Sequence, residues 1–452
     1  MVRRFAGLAL LAALSTGCDA TADATADATA DVGDGVAVGA DAGADVGAGS
    51  GGDVAVGDGG AGNPGDTGDT GDTGIGSDAV GDAGGGTDVA TGPLSVHVFG
   101  TLTSVQSSLG VDLAGAWHDE EELPAFVVGR DLGPPGSGAA EALPDGITHK
   151  LQSLVIALHT QASAPVTVEV GLPDGIPSRW LPAPATLAPP LGGSAALADG
   201  AISWTVTPEP GAASPAPGDG PWGALRGIDA VPLASGERFL FAQGLAHLGL
   251  PLRVEPLPDG SFRVTNDSAV TIPAAWVVHV HAGGGLKLSV GELAPGESKV
   301  KLPTPKEINL DEYTLVSAED IAVELDGTGL TPSESRALVG TWSWSVFHTQ
   351  GLRLLYLAPA EWVEQVAPLA VSPAPQSVVR ALVGRIEVLT PDEESSLRWT
   401  VEQAAKGLGA APSVEGLGVF AEPKLRRTLE QLEDPAARAL CESLIEAALA
   451  IP

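Results

Sequence analysis

Two histidines separated by one residue, His279-Val280-His281, are the best metal candidate in this chain. In a strand, residues two apart share a face, so both imidazoles could reach one zinc. The third ligand would come from His97, His118, His159, His247 or an acid. The plainer reading leaves the pair on a solvent face, because Trp276, Val278 and Val280 make the opposite face apolar. The run His118-Asp119-Glu120-Glu121-Glu122 reads as a solvated acidic loop; the alternatives are divalent-cation binding or an acid/base pair. Trp342 and Trp344 with Phe347 and His348 could form an aromatic binding strip, but Leu338, Trp342 and Val346 recur at helical spacing and make a core stripe. Adjacent acids such as Glu319-Asp320 do not signal glycosidase chemistry, which needs two carboxyls at a set separation across a cleft. There is no G-x-S-x-G elbow, H-E-x-x-H, P-loop or G-x-G-x-x-G after a strand. These residues nominate no catalytic group and imply no cofactor.

Charge and cysteine narrow the partners. The formal net charge is −34, and Asp is the only charged residue type between 19 and 93. Such a surface repels nucleic acid and anionic lipid headgroups. The two cysteines are Cys18 and Cys441. Cys441 lies in an apolar helical stretch with Leu440, Leu444 and Ile445, and reads as a buried structural thiol. The basic cluster Lys424, Arg426 and Arg427 is spaced to pair with Glu422 and Glu430 along a helix.

The elements that must position these groups fall into three textures. Residues 19–93 are rich in Asp, Gly, Ala and Thr, with G-D-T-G repeats around Asp66 to Gly74. That composition has too little to bury and is expected to be a disordered spacer rather than a calcium site, since the Asp spacing is three and no Glu closes a shell. From Leu94 to Leu302, short apolar runs predict strands at Leu94–Phe99, Leu154–Leu158, Val166–Val170, Ile202–Val206, Arg238–Phe241, Leu252–Glu255, Phe262–Thr265, Trp276–His281 and Leu286–Val290. The tetrapeptide L-P-D-G at Leu143, Leu172 and Leu257 predicts tight turns, the third of them a hairpin. After Thr304 the chain reads as mixed α/β. Thr331-Pro332-Ser333-Glu334 and Thr390-Pro391-Asp392-Glu393 are helix-opening capping boxes, the first expected to run to Phe347. Leu352–Leu357 and Val378–Leu389 read as strands, and Pro359–Val366 as a short helix. Lys424–Leu432 with Pro435–Ala450 is a helical pair expected to pack on the sheet.

Three segments resemble known families. Arg3 and Arg4, the short apolar core Phe5–Leu14, and Ser15-Thr16-Gly17-Cys18 resemble the signal and lipobox of bacterial lipoproteins. That resemblance implies that residues 1–18 are a lipoprotein signal ending in lipid-acceptor Cys18, a membrane attachment through lipid, and a cell-envelope location. The outer membrane is favoured, with the chain facing the periplasm or the surface. Phe262 to Leu302, with Asn266-Asp267-Ser268 and the later Leu293–Ser298 turn, resembles an immunoglobulin-like or fibronectin III-like module over about 250–303 and implies a β-sandwich. Gly329 to Arg427 is similar to a C-terminal region of uncharacterised myxobacterial exported proteins, which implies no activity.

The expected organisation is multi-domain: signal 1–18, disordered acidic tail 19–93, mainly-β sandwich-like middle 94–303 with one or two domains, and mixed α/β domain 304–452. The expected function is a lipid-anchored envelope protein that displays binding or structural domains on a stalk, with an envelope protein or polysaccharide as partner. The alternative is an exported hydrolase, zinc-dependent through His279 and His281.

Overall fold

The computed structural model describes residues 93–451 apart from 121–122, 193–194, 217, 219, 283 and 302–309. The signal, Cys18 and the acidic tail up to residue 92 lie outside the described residues. In chain order the strands begin with β1 (Ser95–Gln106), three two-residue strands, β2 (Val128–Gly129), β3 (Leu132–Gly133) and β4 (Glu141–Ala142), then β5 (His149–His159), β6 (Val166–Leu172) and β7 (Gly175–Leu181). They continue with β8 (Thr186–Ala188), β9 (Gly200–Val206), helix α1 (Gly220–Arg226), β10 (Phe239–Ala246), β11 (Leu252–Pro256) and β12 (Phe262–Asn266). Next come β13 (Ala275–His281), β14 (Gly284–Ser289), β15 (Ser298–Lys301), α2 (Leu310–Asp326), α3 (Pro332–Gly340) and α4 (Ser343–Phe347). The chain closes with β16 (Gly351–Leu357), α5 (Ala360–Val366), β17 (Leu369–Ser372), β18 (Ser377–Val388), α6 (Pro391–Ala405), the short α7 (Val414–Leu417), α8 (Ala421–Gln431) and α9 (Pro435–Leu449).

All nine strands expected between 94 and 302 are present, so the middle is mostly β-sheet and the C-terminal part carries helices. No described helix is long and apolar enough to cross a membrane. Nine strands form one sheet in the order β14-β13-β16-β18-β1-β5-β10-β7-β2. β1 and β18 pair in parallel, and the remaining pairs are antiparallel. The expected division at 303/304 therefore falls inside a continuous sheet: β16 and β18 from the C-terminal part lie between β13 and β1 from the middle. β1 is buried along nearly its whole length, as expected of a strand covered on both faces.

One face of this sheet is covered by β-structure. Val96, Val98, Ile156 and Leu354 meet Val168, Ile202 and Trp204 of the β17-β6-β9-β8 sheet, and Val254, Phe262 and Val264 of the β11-β12-β15 sheet. The segment 250–303 is thus divided. β11, β12 and β15 form their own sheet, while β13 and β14 extend the large one. Of the L-P-D-G turns, the third joins the hairpin β11–β12 with Gly260 at φ 79°. The second links β6 to β7, which belong to different sheets, so it turns a corner.

Helices cover the other face. Phe99, Val155, Phe239, Phe241, Leu355 and Val383 pack on Leu225 of α1, Ile321 and Leu325 of α2, Leu338 of α3, and Val346 and Phe347 of α4. Helix α2 had no sequence signal, because exposed Leu315, Val316 and Val323 blur its apolar stripe. Both capping boxes form, at Thr331/Glu334 and Thr390/Glu393. The helix opened at Thr331 does not run unbroken to Phe347. It stops at Gly340, where the Thr341 hydroxyl bonds the Leu338 carbonyl, and restarts at Ser343. Helices α8 and α9 do not pack on the sheet as expected. They close a separate core on α6 through Val401, Leu425, Cys441 and Ile445.

Candidate functional site

Polar side chains gather under the helical layer where four central strands run side by side. Thr101 and Thr103 of β1, Ser153 of β5, Gln243 of β10 and Arg385 of β18 line one cavity of about 70 Å3. A bulge in β5 supplies one more. Ser153 stands opposite Thr101 and Leu151 opposite Leu102, so Gln152 has no opposite residue and its side chain turns into the cavity. Above the strands, α1 contributes Trp222 and Leu225. The break between α3 and α4 contributes Thr341, Trp342 and Ser345, and Glu120 closes one side from a loop.

Part of this polarity is satisfied. Gln152 Nε2 donates to Glu120 Oε1 at 2.7 Å, and Gln243 Nε2 donates to the main-chain carbonyl of Gln152 at 2.8 Å. Arg385 donates to Glu120 Oε2, to Ser345 Oγ at 3.1 Å and to Glu387 Oε1 at 2.6 Å. Arg353 donates to the same Glu387 oxygen at 2.7 Å. Burial pushes the Glu387 carboxyl up, but the two guanidinium groups outweigh it and hold it below the ordinary range. Two arginines thus meet two carboxylates in a charge-balanced group, of which Arg385 and Glu120 line the cavity. Of the run expected to be a solvated acidic loop, Asp119 pairs with buried Lys150, and Glu120 with Arg385 and Gln152, while residues 121–122 lie outside the described residues.

The rest is unmatched. Thr101 Oγ1, Thr103 Oγ1, Gln152 Oε1, Gln243 Oε1 and Trp342 Nε1 are buried and have no protein hydrogen-bond partner. All five residues line this one cavity. Because both amide nitrogens are engaged, the two glutamines offer carbonyl acceptors. The two hydroxyls offer either role, and the indole offers a donor. Aromatic carbon from Trp222, Phe241 and Trp342 walls the same space. Leaving a buried polar group unpaired costs about 1–3 kcal/mol, so this array calls for water or a polar ligand. A wider depression of about 450 Å3 shares Gln243 and carries Lys150, Arg179, Asp119 and His118.

The sequence candidates are placed as follows. His279 and His281 do share a face of β13, with ring centroids 5.9 Å apart. They are half-buried rather than on a solvent face, since Val277 on the same side belongs to the core under the β-layers. Burial and the neighbouring His281 lower the His279 pKa. Among the described residues they are not part of a group of three potential ligands. Two of the expected third ligands, His97 and His159, instead meet one another and Glu334. Trp342, Val346 and Phe347 are core, while Trp344 is exposed and stacks on His348 at 4.5 Å. Cys441 is fully buried against the Leu425 carbonyl, and burial pushes its thiol up to about 11. Arg426 pairs with Glu422, and Arg427 with Glu430, as their spacing requires.

The sequence does not single out the cavity residues, because Thr, Gln and Arg within strands look like solvent-facing positions. The one available signal was polarity on a strand that is also apolar at alternate positions, as in V-F-G-T-L-T-S. Deciding that this face is covered takes the helical layer.

No protein-family model matches the chain. No curated protein matches it. A solved structure, the yeast delta-COP-I mu-homology domain complexed with Dsl1 WxWxV peptide, aligns with 66% of this chain and 96% of that one, at 6% identity and a TM-score of 0.23. A likeness of that size carries no argument about fold or function.

Proposed function

We propose that this chain is a lipid-anchored envelope protein whose folded part binds a small, neutral, hydroxyl-rich ligand in the cavity between β1, β5, β10, β18 and the α1/α3/α4 layer. Attachment rests on the lipobox-like residues ending at Cys18, and the acidic segment 19–93 serves as a spacer. The observation that carries the binding reading is the convergence of five unpartnered buried polar atoms on one space with aromatic walls. Hydroxyl groups of a sugar or polyol match that set, offering donors to Gln152 and Gln243 and an acceptor to Trp342. The balanced Arg385, Arg353, Glu120 and Glu387 group disfavours a charged ligand, which would leave one partner uncompensated. A small neutral polyol, or one hydroxyl-bearing end of an envelope saccharide inserted into a space of about 70 Å3, is the partner class this chemistry fits.

The test uses the mature chain, with tryptophan emission from Trp222 and Trp342 and thermal shift read against neutral monosaccharides, polyols and their charged counterparts. Saturable binding of a neutral member, weakened at least tenfold by Gln243→Leu, supports the reading. A flat response to every member, with a crystal structure holding only water at the five atoms, overturns it. Labelled-palmitate incorporation that is lost in Cys18→Ala tests the anchor separately.

A further inference from the structure

We propose that His97, His159 and Glu334 form a binding site for one divalent transition metal ion, best matched to zinc. His97 Nδ1 lies 2.7 Å from Glu334 Oε2, and His159 Nε2 lies 2.9 Å from Glu334 Oε1. All three donor groups fall within 4.8 Å of one another, the one such set among the described residues. Two metal–ligand bonds of about 2.1 Å at the tetrahedral angle place their donor atoms about 3.4 Å apart. A shared ion therefore needs each imidazole to draw back from Glu334 by roughly half an ångström, within the 4.8 Å that the three donors span. Two imidazoles and a carboxylate are also the ligand set of zinc sites that keep an open position.

Three rigid pieces hold the donors. His97 is on β1 and His159 ends β5, where Ser95 stands opposite His159 across the antiparallel ladder. The two rings sit 4.2 Å apart, tilted by 43°. Glu334 is the N3 residue of α3 and is fully buried. Its Oε2 also accepts the Thr331 N–H at 2.9 Å, which fixes the carboxylate in the manner of an outer-shell partner. Access comes from the His159 side, where the ring borders an open depression with Ser95, Thr160, Gln376 and Ser377. The site lies outside the polar cavity, shares no lining residue with it, and does not depend on the saccharide reading.

The same heavy-atom positions would serve a metal-free arrangement in which each ring donates an N–H to the carboxylate, so the experiment separates the two. The mature chain is stripped with chelator, titrated with Zn2+ by calorimetry, and examined for visible d–d bands after Co2+ loading. One equivalent is expected, with cobalt bands that zinc removes. His159→Ala, which changes a partly exposed ring and leaves α3 capped, should weaken zinc by more than the about 10- to 100-fold that loss of an outer-shell partner costs. Glu334→Gln should do the same, whereas the double variant His279→Ala/His281→Ala should bind as wild type. Absence of a stoichiometric site, or wild-type affinity in His159→Ala with native circular dichroism, overturns the proposal. So does loss of binding confined to the His279/His281 variant.

Discussion

Thr103 of β1 stands opposite Arg385 of β18 in the parallel ladder that joins the first described strand to one nearly three hundred residues later. That register sets an unpartnered hydroxyl beside a guanidinium and puts both on the floor of the polar cavity. The Arg385 side chain then reaches Glu387 on its own strand and Glu120 on the covering loop. One side chain thereby ties the sheet, the loop and, through Ser345, helix α4 together.

Arg385→Met should be severely destabilising. It leaves Glu120 and Glu387 buried with fewer compensating donors, and breaking a buried ion network from one side costs about 3–5 kcal/mol. The midpoint of urea denaturation should fall accordingly. A loss below about 1 kcal/mol would mean that Arg353 and Gln152 already satisfy both carboxylates.

Thr101→Val should go the other way. The hydroxyl is buried without a protein partner, and valine has nearly the same shape, so the variant should gain about 1 kcal/mol of stability while weakening any polar ligand. Denaturation and the sugar titration on the same sample check both halves. Lower stability would show that ordered water satisfies Thr101 in the free protein.

Gly100→Ala should weaken the centre of the sheet. A Cβ at Gly100 would meet the Ser153 carbonyl oxygen at 1.8 Å, and this neighbour is backbone of the paired strand. Overpacking of this kind costs about 1–3 kcal/mol, and the bulge that presents Gln152 lies alongside. A native thermal midpoint in the variant would contradict the closeness of β1 and β5.

Acid should destabilise the protein before most carboxylates titrate. Burial, with the charge of His247, lowers the His149 pKa to about 3. Burial, with nearby Lys150 and against Asp119, lowers His118 to about 4. Below about pH 6.5 the unfolded chain takes up protons that the folded one refuses, so stability present above that pH is lost as pH falls, by up to about 1.4 kcal/mol per unit for each ring. Denaturation midpoints between pH 7 and pH 5 should fall, with a shallower slope in His149→Gln. A flat profile over that window would refute the neutral burial of His149.

Local chemistry was enough to determine much of this protein from sequence. Alternation in V-T-V-E-V and A-W-V-V-H-V-H, the Thr-x-x-Glu boxes and the Pro-Asp-Gly turn at Leu257 are short-range signals, and each forms the element it predicts. Tertiary structure alone decided which strands became neighbours. β1 pairs with β18, and L-P-D-G at Leu172 turns between sheets rather than within one, because pairing partners far apart in the chain leave no periodic trace. It also decided the sites. His97, His159 and Glu334 lie on three elements and meet only when α3 caps the sheet, and Thr101, Gln152, Gln243 and Trp342 become a cavity only once a helical layer excludes water from one face. A residue's type sets what it can bond, but burial and the partners brought by the fold decide whether that capacity is already used.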